Sequence, residues 1–302
     1  MSLKKSAGIV TLALVAFGVG VIYYLHARGS QPAPVVVSAE PKEFHAAPPL
    51  EKPETSAAKK ESAPEAKAEE KKAAPAAPPV NTGQPLKAGE VLEYTANVSK
   101  LSNVATLTVK VVGRGNFAGK SAWHLQATAH TQNPLRMIFE LDDQFDSYSD
   151  AGTLASMQYE MRLSERGQKV ESLQRMTASD KEPAPADASG VRGVLPGTRD
   201  PLGMLEYLRN VDWSKTPEVR SPVYDGHKLY DVRAKLAGSE AVEVASGKYT
   251  ASKIGIRVLE DGVEMKDASF TLYLANDATH TPVLLEAVLP FATARVELVK
   301  TQ

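Results

Sequence analysis

Val91-Leu-Glu-Tyr-Thr-Ala-Asn-Val98 alternates apolar and polar side chains, and this stretch decides the class of fold. In a β-strand successive side chains point to opposite faces, so Leu92, Tyr94, Ala96 and Val98 share one face. This alternation is typical of a strand that buries one face in a core and exposes the other. We therefore predict that the chain builds a sheet from this point onward.

The same period of two recurs along the rest of the chain, and Asp261-Gly262 indicates a tight hairpin because this pair accepts positive φ angles. The pattern predicts about ten antiparallel strands in a mainly β fold, a curved sheet or half-barrel. The further segments with this pattern are Ala105–Val111, Trp123–Ala129, Met137–Leu141, Met157–Leu163, Val170–Met176, Tyr249–Val258, Phe270–Leu274, Val283–Leu289 and Val296–Leu298.

One segment breaks the alternation, Asp200-Pro-Leu-Gly-Met-Leu-Glu-Tyr-Leu-Arg209. Asp200 suits the N-cap of a helix, and the proline after it suits the first helical position. Leu202, Leu205 and Leu208 then share one face of a short amphipathic helix. We predict that this face packs on the concave side of the sheet, where the three leucines are candidates for the lid of a ligand pocket. The alternative is that they complete a closed core.

The N-terminus carries a long apolar run, Ala7 to Leu25, which follows Lys4 and Lys5. A helix rises 1.5 Å per residue, so this run covers roughly the 30 Å hydrocarbon core of a bilayer. Tyr23 and Tyr24 fall where an interfacial aromatic belt belongs, and the lysines favour a cytoplasmic N-terminus. These four residues are the predicted membrane anchor.

We accordingly predict three parts: a transmembrane signal-anchor at 1–28, a disordered linker at 29–85 and a β-rich periplasmic domain at 86–302. The linker carries 11 of the 20 prolines, and its Pro/Ala/Lys/Glu composition cannot bury enough apolar surface to fold. A cleaved signal peptide and a buried soluble helix remain as alternatives for the first part. The candidate cleavage site, Leu25-His26-Ala27, has a large residue where a small one is required.

The composition excludes several classes of chemistry. With no cysteine in the chain, disulfides, thiolate zinc sites, iron–sulfur clusters and lipidation at cysteine are excluded. A net charge of -1 does not suggest nucleic acid as a partner. His124 and His130 would lie about 20 Å apart along one strand, which is too far for a shared metal ion.

The remaining motifs do not indicate an active site either. Asp142, Asp143, Asp146 and Asp150 do not fit the spacing of a calcium loop, and we interpret them as a solvated strand end or turn. No serine lies in the strand–turn–helix context of a nucleophile elbow. We therefore expect a protein without catalytic residues, metal or cofactor.

Four stretches in order carry a resemblance to a known family: Gly89–Tyr94, Asp200–Arg209, Tyr224–Tyr230 and Asn276–Val283. Together they resemble the first strand, the helix, the central hairpin and the closing strand pair of the bacterial family catalogued as domain of unknown function 3108. The resemblance covers about 89 to 299 and implies export from the cytoplasm. The family's curved sheet is similar to the lipoprotein-carrier fold of LolA and LolB, in which a half-barrel holds acyl chains under a helical lid.

These observations lead to one preferred function and two alternatives. We expect a single-pass inner-membrane protein whose C-terminal domain, in the periplasm, is a non-catalytic binding module for an apolar ligand, such as a lipid or lipoprotein, or for an envelope partner. A structural or transducing tether like TonB or TolA is the alternative, and an envelope hydrolase is a third hypothesis that no motif favours. The oligomeric state stays open.

Overall fold

A computed structural model of the chain describes residues 45–46, 86–178, 191–266, 268–289 and 292–302. The predicted anchor at 1–28 lies outside these residues, as does the predicted linker apart from its two residues at 45–46. Within the part of the chain that the structure describes, no helix is long and apolar enough to cross a membrane.

The described residues form one large sheet of fifteen strands, more than the ten that the alternation predicts, and a single α-helix, α1, at Pro201–Asn210. The strands are β1 His45–Ala46, β2 Val91–Val98, β3 Leu101–Phe117, β4 Lys120–Thr131, β5 Asp142–Asp150, β6 Ser156–Glu165, β7 Gln168–Ala178, β8 Val191–Val194, β9 Glu218–Tyr224, β10 Leu229–Val244, β11 Gly247–Glu260, β12 Val263–Glu264, β13 Ser269–Ala275, β14 Pro282–Val288 and β15 Thr293–Thr301.

The strands follow the order β8-β7-β6-β5-β4-β3-β2-β15-β14-β13-β11-β10-β9, with β1 beside β3 and β12 beside β11. Neighbours are antiparallel as predicted, except that β7 and β8 run parallel. The pairing of β15 with β2 joins the last strand to the first of the main path. The mainly β, curved and antiparallel character of the predicted fold is confirmed.

The alternation that opens the domain is confirmed by burial. Leu92, Tyr94 and Ala96 are buried in the core, and the residues between them are half-buried. The Asp261-Gly262 hairpin is also confirmed, since both residues have the positive φ angles that the turn requires. One predicted strand is wrong: Met137–Leu141 lies in a loop that begins with a 3-10 helix at Leu135–Met137.

The acidic residues between 142 and 150 are a second correction. The interpretation as a solvated strand end or turn is wrong for Asp143 and Asp146, which are buried within β5, whereas Asp142 and Asp150 lie at its two ends. Asp146 is compensated there by polar neighbours: His124, Gln126 and Arg162 contact its carboxylate at 2.8 to 2.9 Å.

Antiparallel pairing gathers the connections between strands at two ends of the sheet. We call one the rim end, which holds the connections at 99–100, 132–141, 166–167, 225–228 and 261–262 and the end of β14 with the start of β15. We call the other the helix end, which holds the connections at 118–119, 151–155, 245–246 and 276–281.

The helix lies at the helix end, where the residues before it also contact two strands that are far apart in the strand order. The amide of Ser156, on β6, donates to the carbonyl of Thr198 at 2.9 Å. One residue further on, the amide of Arg199 donates to the carbonyl of Pro222, on β9, at 3.0 Å. The chain just before α1 therefore links one side of the curved sheet to the other.

Candidate ligand cavity

A cavity of about 60 Å³ lies between one face of α1 and strands β9, β10, β11, β13 and β14. Its lining is apolar except at Asp225, which belongs to the β9–β10 turn. The lining residues are Pro201, Met204, Leu205, Leu208, Val223, Asp225, Tyr230, Val232, Ile256, Val258, Phe270, Leu272 and Leu285.

Two of the three predicted lid residues line the cavity, and the third does not. Leu205 and Leu208 line the cavity, whereas Leu202 is buried but does not line it. Met204 faces the cavity with the two leucines, a position that the i, i+3, i+6 spacing does not select. Because i, i+3, i+4 and i+7 form the full apolar face of a helix, the pattern Pro201, Met204, Leu205, Leu208 was the more informative signal.

The cavity is partly open, and the half-buried part of its lining includes one residue near the rim end. Its lining is half-buried only at Tyr230 and Ile256, and the other lining residues are buried. Tyr230 follows the β9–β10 turn of the rim end, and its backbone pairs with Glu260 near the next turn. Helix α1 thus covers one side of the cavity, and Tyr230 marks the side toward the rim end.

A buried polar network holds the N-terminus of α1. As predicted, Asp200 caps the helix, and its Oδ1 accepts from the amides of Leu202 and Gly203 at 2.9 Å each. Its Oδ2 accepts from the hydroxyls of Ser147 and Ser156 at 2.5 Å each. Burial raises the pKa of Asp200 above its ordinary value, against these four hydrogen bonds, which lower it.

The residue before the cap adds a buried cation. Arg199 donates to the carbonyls of Gly197 and Thr153 and to the hydroxyl of Ser221 at 2.8 to 2.9 Å. Its guanidinium lies 3.7 Å from the ring centroid of Tyr207, close enough for a cation–π contact. No carboxylate in the described part of the chain pairs with it, and burial lowers the pKa of Arg199 to about 10.

A second buried network holds the C-terminus of α1. Arg209 lies between two carboxylates and donates to Glu90 and to Glu206, with distances of 2.8 to 3.0 Å. Its carbonyl contacts the ring of His280 at 2.7 Å, and the indole of Trp213 donates to the carbonyl of the preceding residue, Leu208. The helix end is thus tied to β2 and to the β13–β14 connection.

The helix consequently differs from the predicted one. Every residue from Pro201 to Asn210 is buried, including Glu206 and Arg209, so α1 does not present a polar face to solvent. Gly203 lies so close to the sheet that an added Cβ would be 3.0 Å from the hydroxyl of Ser149. The helix is therefore a wall fixed at both termini, not a hinged segment.

Among the residues that the structure describes, no group of three or more potential ligands could hold a metal ion. His124 and His130 lie on β4 as predicted and contact Asp146 and Asp142 respectively. The predicted anchor residues Lys4, Lys5, Tyr23 and Tyr24 lie outside the described residues.

One further pair of titratable groups lies at the rim end. Asp143 and Glu165 are buried neighbours, and burial is the main cause that raises the pKa of Asp143 to about 6 and that of Glu165 to about 8. The carboxylate of Asp143 further raises the pKa of Glu165. At neutral pH the pair therefore retains one proton, held by Glu165.

Comparison with known proteins gives one family and several solved structures. The model of the family described as "Protein of unknown function (DUF3108)" matches residues 93–299, which confirms the predicted resemblance. No curated protein matches the chain significantly.

Three solved structures match the chain at low sequence identity. A β-barrel-like protein of domain of unknown function DUF1849 from Brucella abortus is 10% identical, covers 71% of this chain and 97% of its own, and has a TM-score of 0.46. A candidate lipoprotein from Parabacteroides distasonis is 12% identical over 72% and 97% of the two chains, with a TM-score of 0.35. A candidate exported protein with a YmcC-like fold from Bacteroides fragilis is 9% identical over 72% and 98%, with a TM-score of 0.34.

Proposed function

Since the chain belongs to the DUF3108 family, whose function is unknown, we propose a function from the cavity: the domain binds the hydrocarbon part of an apolar ligand and catalyses no reaction. The observation that carries this proposal is a cavity with twelve apolar residues among its thirteen lining residues, open on one side. A pocket of this kind recognises a ligand by apolar surface rather than by hydrogen bonds.

The size of the cavity limits how a ligand is held. Its volume of about 60 Å³ is small for a ligand site. Pockets that enclose a whole small molecule are larger, on the order of 300–1,000 Å³. The cavity therefore receives the end of a hydrocarbon chain, and the remainder of the ligand extends past Tyr230 and Ile256.

The fixed position of α1 assigns the helix a role in this function. Moving it outward would separate the Arg209–Glu206 pair from Glu90 and would leave Asp200 without its hydroxyl partners. Exposing or separating such buried charges is costly. We therefore propose that α1 is a fixed wall of the cavity and that ligands enter and leave at the rim end.

The location that we propose for this domain is the periplasm. The lysines at 4 and 5 and the apolar run from 7 to 25 support a single-pass anchor in the inner membrane, with the domain on its far side. No finding supports the TonB- or TolA-like alternative. Nothing in the cavity provides a nucleophile with an adjacent base, as a hydrolase would require.

Titration of residues 86–302 with a fluorescent fatty acid tests the proposal. The substitution Val232→Phe fills the cavity, so we expect it to weaken binding at least tenfold. Val104→Phe is the matched control, because Val104 has the same 8% exposure on β3 but does not line the cavity. Thermal melting checks that each protein is folded. Absence of binding to the folded wild type, or equal binding by the two variants, would refute the proposed function.

A further inference from the structure

Exposed apolar side chains are concentrated at the rim end. Eight large apolar residues are exposed in the described part of the chain, and six of them lie on the rim end. The other two, Leu195 and Val299, lie toward the helix end. The six at the rim end are Leu101, Met137, Ile138, Val170, Val263 and Val288.

The most exposed two are neighbours at the tip of the β4–β5 loop. Met137 is 84% exposed and Ile138 is 77% exposed. Two apolar residues of the same loop, Leu135 and Phe139, turn the other way and pack against the core. Leu135 and Phe139 thus anchor the loop on the core, while Met137 and Ile138 at its tip are exposed to solvent.

Ion pairs hold this loop in shape. Arg136 donates to both carboxylate oxygens of Asp142, at 2.8 and 2.7 Å, and to Glu140 at 2.9 Å. The charged groups next to the tip are therefore paired with one another. These contacts fix the shape of the loop, so that Met137 and Ile138 stay exposed to solvent.

Basic and acidic side chains both lie between the apolar residues of the rim end, and the acidic ones include the exposed Glu171 and Asp261. Lys100, Lys169 and Lys266 are exposed on three different connections or strand starts of the rim end. Long basic side chains at such positions can reach lipid phosphates while apolar neighbours lie deeper in the interface. The rim end thus combines apolar tips and cations.

From this arrangement we infer that the rim end docks on a phospholipid bilayer, with Met137 and Ile138 inserted among the lipids and the cavity opening facing the membrane. The docking rests on the exposed residues alone. The consequence that the ligand is a membrane lipid, which enters acyl chain first, rests on the function proposed above.

The distribution of the six residues favours a bilayer over a protein partner. They lie at five places along the strand order, on β3, β7, β12 and β14 and in the β4–β5 loop. A stable protein interface buries about 800 Å² on each partner around a continuous apolar centre. A bilayer accepts separate apolar tips, because each one finds hydrocarbon independently.

Site-specific fluorescence in the full chain tests this inference. Because the chain has no cysteine, Ile138→Cys and Val299→Cys each create a single labelling site. The two proteins are labelled with an environment-sensitive fluorophore and reconstituted into vesicles of phosphatidylcholine and phosphatidylglycerol that contain lipids spin-labelled on the acyl chain. We expect at least threefold stronger quenching and a blue-shifted emission for the label at 138. The label at 299, at the helix end, is the matched control.

The outcomes separate the two proposals. Equal quenching at 138 and 299 would overturn the docking, whatever the fatty-acid titration shows. A label at 138 that is shielded from water-soluble quencher but not reached by the spin-labelled lipids would also overturn it, since this indicates a protein partner. Strong lipid quenching at 138 without fatty-acid binding would support the docking and refute the function proposed for the cavity.

Discussion

At the scale of single residues, the pKa values of two buried carboxyl groups on the same strand, β5, are shifted in opposite directions. Although burial opposes ionisation of Asp146, hydrogen bonds from His124, Gln144 and Gln126 lower its pKa to about 2. Asp143, three residues earlier, faces another carboxyl group instead, that of Glu165. Because few hydrogen-bond donors surround Asp143 and Glu165, this pair retains one proton at neutral pH, whereas Asp146 is ionised.

This difference predicts how stability depends on pH. A carboxyl group whose pKa is raised by folding binds its proton more tightly in the folded state, so stability is lost as the pH rises from about 4.5 through 8. Glu165→Gln cannot ionise, and we expect it to remove much of this loss. Between pH 5 and pH 9 the wild type should lose on the order of 3 kcal/mol more than the variant.

Urea unfolding followed by tryptophan fluorescence measures this difference at each pH. Glu243→Gln is the control, since the side chain of Glu243 is 72% exposed. The control should show the same pH dependence as the wild type. Parallel stability curves for wild type and Glu165→Gln would show that the pair does not share a proton as described.

At the scale of elements, the sequence predicts α1 but not its environment. The cap at Asp200, the proline after it and the leucine spacing are local signals, and they suffice for the position of the helix. Burial of Glu206 and Arg209 has no local signal, because charged residues in a helix ordinarily indicate a solvent face. Their partner Glu90 lies 119 residues before Arg209, so only the folded chain brings the three charges together.

The same network supplies a test of the helix as a fixed wall. Arg209→Met leaves two buried carboxylates without a cation, and we expect it to destabilise the domain by about 3–5 kcal/mol. Adding Glu90→Met and Glu206→Met removes the two unpaired carboxylates. We expect the triple variant to regain at least half of the lost free energy of unfolding. Chemical denaturation of the single and triple variants measures both values.

The control for this test is Arg220→Met, whose side chain is 57% exposed in an ion pair with Asp231. We expect it to change stability by no more than about 0.5 kcal/mol. If Arg209→Met costs no more than the control, the buried network does not hold the helix, and α1 could act as a mobile lid.

At the scale of the whole molecule, alternation predicts a curved sheet because each strand repeats the period of two. It does not predict the rim end, since a run such as Met137–Leu141 is apolar whether it is buried in a strand or exposed in a loop. The cavity is equally beyond a single pattern, because its lining combines one helix face with five strands distant in sequence. Predicting either requires strand order and register.

The most direct test of hydrocarbon binding is photo-crosslinking of the full chain in membranes with a photoactivatable fatty acid, followed by identification of the labelled peptides. If the cavity receives an acyl chain, the label falls on α1 around Met204 and Leu205 and on the strand residues around Val232 and Ile256. Val232→Phe should suppress this labelling, and Val104→Phe should not. Labelling confined to peptides that do not line the cavity would contradict the account.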